Sequence, residues 1–286
     1  MSNKPRFPDI LFPNLLSFTD NKEISSDIYL LFLTYFEKSL VNEKSLGQYK
    51  DTIIRDIVNL VKGINEYAFK EGITSIWDDD EYLVIRSKVG IHLDLAGYIN
   101  DSEVIMALNS TMAMNDMRLK MFAALSLIKH GYELDDKDLM EIAADNEIRN
   151  WFYDGLQKIG RIDVFPSQYK TQQYFAESNM VDWLIYPTEL ARVPDKIELM
   201  SVFDDGEEEY YLFRFKCDSN KNWKEEGWMT GISGPFNKKA VPTTSAEGNT
   251  FSRFEKWESK TPEEHFEAIV GNVKQYWIKR AEELNG

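Results

Sequence analysis

Two segments of the chain, "GYINDSEVI" from Gly97 and "GYELDDKDL" from Gly131, share Gly, Tyr, Asp and a final Ile or Leu at a shift of 131 − 97 = 34 residues. Self-similarity at such a period constrains a fold strongly, because each copy is one helical unit that must cover its apolar face with a neighbouring copy. In both copies the glycine is placed to end one helix in the left-handed conformation, and Asp101 or Asp135 is placed to cap the next. A second correspondence aligns "LKMFAALSLIKHG" at 119–131 with "IRNWFYDGLQKIG" at 148–160, a shift of 160 − 131 = 29 residues. It pairs Leu119 with Ile148, Phe122 with Trp151 and Leu127 with Leu156.

Paired helices recurring at about 30 to 45 residues are the signature of α-solenoids. On these residues the stretch from 80 to 160 resembles HEAT or armadillo-type helical-repeat proteins. The resemblance implies stacked helices that present a surface to a partner, and it carries no catalytic residues with it. An irregular helical bundle is the other arrangement compatible with the spacing. Upstream, apolar residues crowd together from 21 to 41, and Ile54, Ile57, Val61, Ile64 and Ala68 recur at helical spacing before Gly72.

After Gly160 the texture changes. Prolines at 166, 187 and 194 mark irregular chain with short helices. Period-two alternation follows: Ile197, Leu199 and Phe203 in "KIELMSVF", then Tyr211, Phe213, Phe215 and Cys217 on one face of "YYLFRFKC", with an Asp205-Gly206 turn between them. "GWMTGISGPF" at 227–236 reads as a third strand, with Gly231 leaving room for a bulge or a neighbouring side chain and Gly234-Pro235 ending it. The stretch 238–250 reads as an exposed loop. Thr261, Pro262 and Glu264 open a final helix, 262–283, with a capping box, and Phe266, Ile269, Val270, Val273 and Trp277 form its apolar stripe. The expected fold is therefore α+β: an all-α, solenoid-like domain at 1–160, then a smaller domain at 161–286 with an antiparallel meander and a C-terminal helix.

The chain carries 33 Lys and Arg against 48 Asp and Glu, a formal charge of −15. The acidic excess persists on both sides of Gly160. Such a field repels phosphate backbones and anionic lipid, which argues against nucleic-acid and membrane partners and favours a basic protein. The N-terminus places Pro8 and Pro13 inside what would be a signal peptide's apolar segment, and "YLLFLTYF" is too short to span a bilayer. Cys217 is the single cysteine, so no intramolecular disulfide forms, and a cytoplasmic, reducing location is expected.

No catalytic signature stands out. The glycines of "GWMTGISGPF" match neither dinucleotide nor phosphate-binding loops, and Ser233 lacks the strand-to-helix turn of a nucleophile elbow. His92, His130 and His265 show no zinc spacing, and His130, just before a helix-ending glycine, suits a packing role near a helix C-terminus. Neither metal nor cofactor is expected. The acidic runs at 78–81 and 135–138 fall on inter-helical turns, where a solenoid would stack them into one negative strip. Trp223 sits among polar residues like an interface anchor. The expected function is a non-catalytic adaptor or immunity-type module that binds a basic protein through Trp223, Asp135, Asp136, Asp78, Asp79 and Asp80. The rival expectation is a hydrolytic enzyme with a site between the domains, built from carboxylates and a histidine.

Overall fold

A computed structural model describes residues 8–19, 21, 24–71, 76–186, 190–204, 206–218, 227–239, 242–246 and 250–285. Among the described residues nine α-helices precede the sheet: α1 (Pro8–Leu16), α2 (Ser25–Glu37), α3 (Lys50–Glu71), α4 (Asp80–Ala96), α5 (Ser102–Met112), α6 (Met117–Lys129), α7 (Asp136–Ala144), α8 (Arg149–Lys158) and α9 (Gln172–Ile185). Strands β1 (Lys196–Asp204), β2 (Glu208–Lys216), β3 (Met229–Asn237) and β4 (Phe251–Lys256) follow, and α10 (Pro262–Asn285) closes the chain. Two compact units result: Met1–Ile142 with Gly155–Asp163, and Ala143–Asp154 with Val164–Gly286.

In the first unit α3 packs on α4 and α5, α4 on α2 and α6, and α5 on α6. Lys50, the first residue of α3, lies 3.9 Å from Asp101, the N-cap of α5, so these two helices start side by side. Between α4 and α6 the contacts climb together. Tyr82 donates to Asp116 (3.0 Å), Ser126 to the Leu93 carbonyl (2.6 Å) and His130 to the Ala96 carbonyl (2.9 Å), at separations of 34, 33 and 34 residues. The two helices therefore run parallel, offset by the period visible in the sequence. A small residue sets their spacing, for a β-carbon on Gly90 would strike the Phe122 ring at 2.9 Å; likewise one on Gly155 of α8 would strike Leu125 of α6 at 2.6 Å.

The capping expectations divide. Asp101 accepts from the Glu103 N–H at 2.9 Å, and α7 begins directly after Asp135. Gly131 is left-handed at φ +85°, but Gly97 is right-handed at φ −63°. What requires glycine at 97 is proximity, since a β-carbon there would meet Ser126 Oγ at 2.8 Å.

In the second unit the sheet is a four-stranded antiparallel meander in the order β1-β2-β3-β4. Helix α9 seals one face, where Ala176, Met180 and Leu184 meet Tyr211, Phe213 and Phe215. On the other face Ile269 of α10 meets Leu212 and Ile232, and the Phe203 and Phe266 rings stack at 4.1 Å. Each fully buried aromatic contributes about 2 kcal/mol of transfer free energy. The capping box of α10 forms as expected: Thr261 N–H donates to Glu264 Oε2 (2.8 Å) and Glu264 N–H to Thr261 Oγ1 (3.3 Å). The side chains of Val273 and Trp277 lie outside the described residues.

Four details correct the sequence expectation. The stretch read as irregular chain with short helices contains the longer α9, fourteen residues and capped by Thr171. A fourth strand, β4, extends the expected meander by pairing with β3. Gly234-Pro235 does not end β3, which continues to Asn237. Residues 242–246 are not loose, for Gln172 pairs with both main-chain groups of Thr243 at 3.0 Å, and Asn150 and Asn179 donate to the Thr244 carbonyl. Gly231 does admit a neighbour: a β-carbon there would lie 2.5 Å from Met180 Sδ.

Candidate functional site

The first unit carries an open groove of about 510 Å³ between α3 and α5. Ile53, Ile57 and Ile64 turn the buried stripe of α3 into the core. The adjacent face of the helix presents Val58 and Val61 to Met106 and Ala107 of α5, and these four make the apolar floor. Lys62 and Glu66, 3.7 Å apart, and Glu103 edge it. Met106 is 64% exposed, and Phe69, three or four residues beyond Asn65 and Glu66 along α3, is 91% exposed. An aromatic ring and a thioether open to water cost free energy that a partner recovers on covering them.

Acidic groups stand at both ends of the helices that form the groove. At the α3 C-terminal end Asp79 caps α4 by accepting from the Tyr82 N–H at 2.8 Å, and the Tyr67 hydroxyl donates to it at 3.2 Å. Asp78 and Asp80 flank it, both exposed. At the opposite end lie Asp101 and Glu103 at the start of α5, and Asp135 and Asp136, exposed, at the start of α7. The single negative strip expected from sequence therefore does not form. Residues 78–80 lie on the turn from α3 to α4, whereas 135–136 lie on the turn from α6 to α7, and because α4 and α6 run parallel those turns fall at opposite ends. Trp223 lies outside the described residues.

Every histidine is turned to main chain. His92 lies 2.8 Å from the Lys88 carbonyl, His130 from Ala96 O at 2.9 Å, and His265 from Trp257 O at 2.8 Å, with the Trp257 ring stacked on it. Burial pushes the His92 imidazole below its ordinary pKa. Ser233 is fully buried and shares a hydrogen bond with Thr250. Among the described residues no group of three or more His, Cys, Asp or Glu could hold a metal ion, and no helix is long and apolar enough to cross a membrane.

Two buried arginines are structural. Arg86 forks onto Asp116 (Nε 2.7 Å, Nη2 3.0 Å), which also caps α6 through the Arg118 and Leu119 N–H groups. Arg149 donates to the carbonyls of Ala143, Ala144 and Tyr174 and to Asn146. A third cluster is not neutralised so well. Asp94 of α4 is pushed up to about 6 by burial, against the pull of Lys129, and Lys129 is pushed down to about 8 by burial, against Asp94 and Glu37.

Sequence reasoning missed the groove and this cluster. Phe69 and Met106 were readable as apolar residues off the buried stripes, but the pairing of α3 with α5 is a tertiary fact. In comparisons with known proteins, no family model, curated protein or solved structure matches the chain.

Proposed function

We propose that the chain is a non-catalytic protein-binding module, an adaptor or immunity-type protein, whose helical unit is a HEAT-like repeat scaffold. It takes an apolar segment of a basic partner protein in the groove between α3 and α5. The observation that carries this reading is the open groove with Met106 exposed in its lining, and a second exposed apolar side chain, Phe69, further along α3. Acidic residues at both ends of that groove, within a chain of net charge −15, favour a segment whose apolar anchor is flanked by Lys or Arg. The repeat reading rests on parallel neighbours joined at separations of 34, 33 and 34 residues. The lone cysteine suits a reducing cytoplasm.

The test is an affinity pull-down from the native organism with the wild-type chain, the variant Met106→Glu, and Tyr132→Ser as an exposed control outside the groove. A partner held by wild type and the control but lost by Met106→Glu supports the groove. Equal recovery by all three removes it.

A further inference from the structure

Segment 242–246, in the connection from β3 to β4, is held by four side chains of α8 and α9, all within the second unit. Asn150 and Asp154 stand one turn apart on α8, and Gln172 and Asn179 two turns apart on α9, so each pair shares a helix face. Gln172 takes both main-chain groups of Thr243, donating to its carbonyl and accepting from its N–H at 3.0 Å each. The amides of Asn150 and Asn179 donate to the Thr244 carbonyl at 3.3 and 2.7 Å, and both also hold the Phe175 carbonyl at 3.1 Å. The Thr244 hydroxyl donates to Asp154 at 2.8 Å, and Ala246 packs on the cluster that contains Met180 and Phe213.

These contacts address main chain, which any extended segment offers, together with one hydroxyl and one small apolar side chain. Among the described residues no main-chain to main-chain hydrogen bond joins 242–246 to the sheet or a helix, and Pro242, Thr243 and Thr244 are only half-buried. The fit is also incomplete. Asn150 is 7% exposed, and its Oδ1, on the same amide that meets Thr244, is buried without a hydrogen-bond donor among the described residues. A buried acceptor left in that state costs free energy that a donor recovers.

We infer that Asn150, Asp154, Gln172 and Asn179 form a peptide-binding site, which the chain's own 242–246 segment occupies in cis. Its ligand in trans is an extended segment of a partner protein, with Thr or Ser at the position of Thr244 and a small residue two places on. That segment also brings a hydrogen-bond donor to Asn150 Oδ1. The donor is what makes the ligand foreign: the cis segment is tethered, so its effective concentration at the site is high, and an identical segment from a second copy gains nothing over it. A segment that adds a bond displaces it.

The probe is a fluorescein-labelled peptide with the sequence of residues 240–248, AVPTTSAEG, followed by fluorescence anisotropy. The full chain with 240–248 replaced by a Gly-Ser linker of equal length, shown folded by circular dichroism, should bind it at least about tenfold more tightly than wild type does. In that background Asp154→Ala and Gln172→Ala should each weaken binding about five- to tenfold, and Met106→Glu should leave it unchanged. A peptide with Val in place of Thr244 should lose a similar factor, and this loss should not add to that of Asp154→Ala. Among peptides carrying Asn, Ser or Lys singly at the other positions, at least one should bind wild type more tightly than the parent peptide. Amide exchange on wild type needs no variant: the Thr243 N–H should exchange at least about tenfold faster than the ladder amides of β2 and β3, because the segment opens without the sheet. Exchange of Thr243 in step with the sheet overturns the assignment, as does refusal of the peptide by the folded replaced chain. Capture of a wild-type copy by the replaced chain in sedimentation, or failure of every donor-bearing peptide on wild type, overturns the foreign partner.

Discussion

His130 Nε2 donates to the Ala96 carbonyl oxygen at 2.9 Å across 34 residues, the same offset that separates Gly97 from Gly131. One ring thus gives a second hydrogen bond to a terminal carbonyl of α4, which also accepts from the Ile99 N–H at 3.1 Å. His130→Ala should cost about 1 kcal/mol, read as a lower urea midpoint at unchanged slope. Partner capture should be untouched. A variant as stable as wild type would mean that water replaces the imidazole.

Asp116 concentrates more energy. It takes the Arg86 fork and the Tyr82 hydroxyl, and it caps α6, with the Arg86 and Asp116 side chains 3% and 2% exposed. Removing the carboxylate takes away the charge that a buried guanidinium faces, so Asp116→Ala should destabilise by about 3 kcal/mol. The pair Arg86→Met with Asp116→Leu should recover much of that, less the lost cap. Additive losses in chemical denaturation would show that the two residues are not coupled.

Asp94 provides a pH test. Its folded pKa, about 6, stands above the ordinary 3.8, so the folded chain favours the protonated acid. The stabilisation linked to that proton is complete below about pH 4 and is lost as pH rises through about 6. Asp94→Asn mimics the protonated form. It should therefore raise stability at about pH 7.5, by about 1 kcal/mol after discounting for partial exposure, and change little at about pH 4. Thermal melts at the two pH values check it, and a variant less stable at the higher pH would reverse the sign.

The period of 34 was legible because Gly, Tyr and Asp recur at fixed offsets, and the caps at Asp101 and Thr261 because their chemistry is local. Other features depend on what lies across space. Gly97 resembles Gly131 in sequence, yet one is needed for the approach of Ser126 and the other for its backbone conformation. Helix α9 hides between Pro166 and Pro187, its apolar residues meaningful only against the sheet they cover. The groove is similar: Met106 stands out as an apolar residue on a polar face, but it does not name α3 as its neighbour. Chain order already separates 78–80 from 135–136, since successive inter-helical turns alternate between the two ends of the helices.

Gly231 and Met180 should behave as a unit. A β-carbon at 231 would stand 2.5 Å from Met180 Sδ and 2.6 Å from Cε, in a sheet face without spare room. Gly231→Val should destabilise by about 1 to 3 kcal/mol through overpacking. Met180→Ala alone should also cost about 2 to 3 kcal/mol. Combined, the two changes should cost less than their sum by about 1 kcal/mol, because each relieves the other. Strict additivity in urea titrations would mean that β3 and α9 separate rather than repack.

The groove makes a kinetic prediction that divides apolar from charged residues. Phe69 and Met106 act only at contact, so Phe69→Ser and Met106→Ser should speed dissociation of a captured partner by about tenfold together, with association little altered. The carboxylates act at a distance. Asp78→Lys with Asp80→Lys, and separately Asp135→Lys with Asp136→Lys, should slow association about two- to fivefold at low salt, and the effect should fade above about 0.3 M salt as the screening length contracts. Because the two acidic groups occupy opposite ends of the helices, their effects should add. Surface plasmon resonance on the purified pair, with circular dichroism to show each variant folded, reads both rates. If the charge reversals change dissociation instead, those carboxylates touch the partner directly. If neither Phe69 nor Met106 alters dissociation, the partner binds elsewhere on the chain.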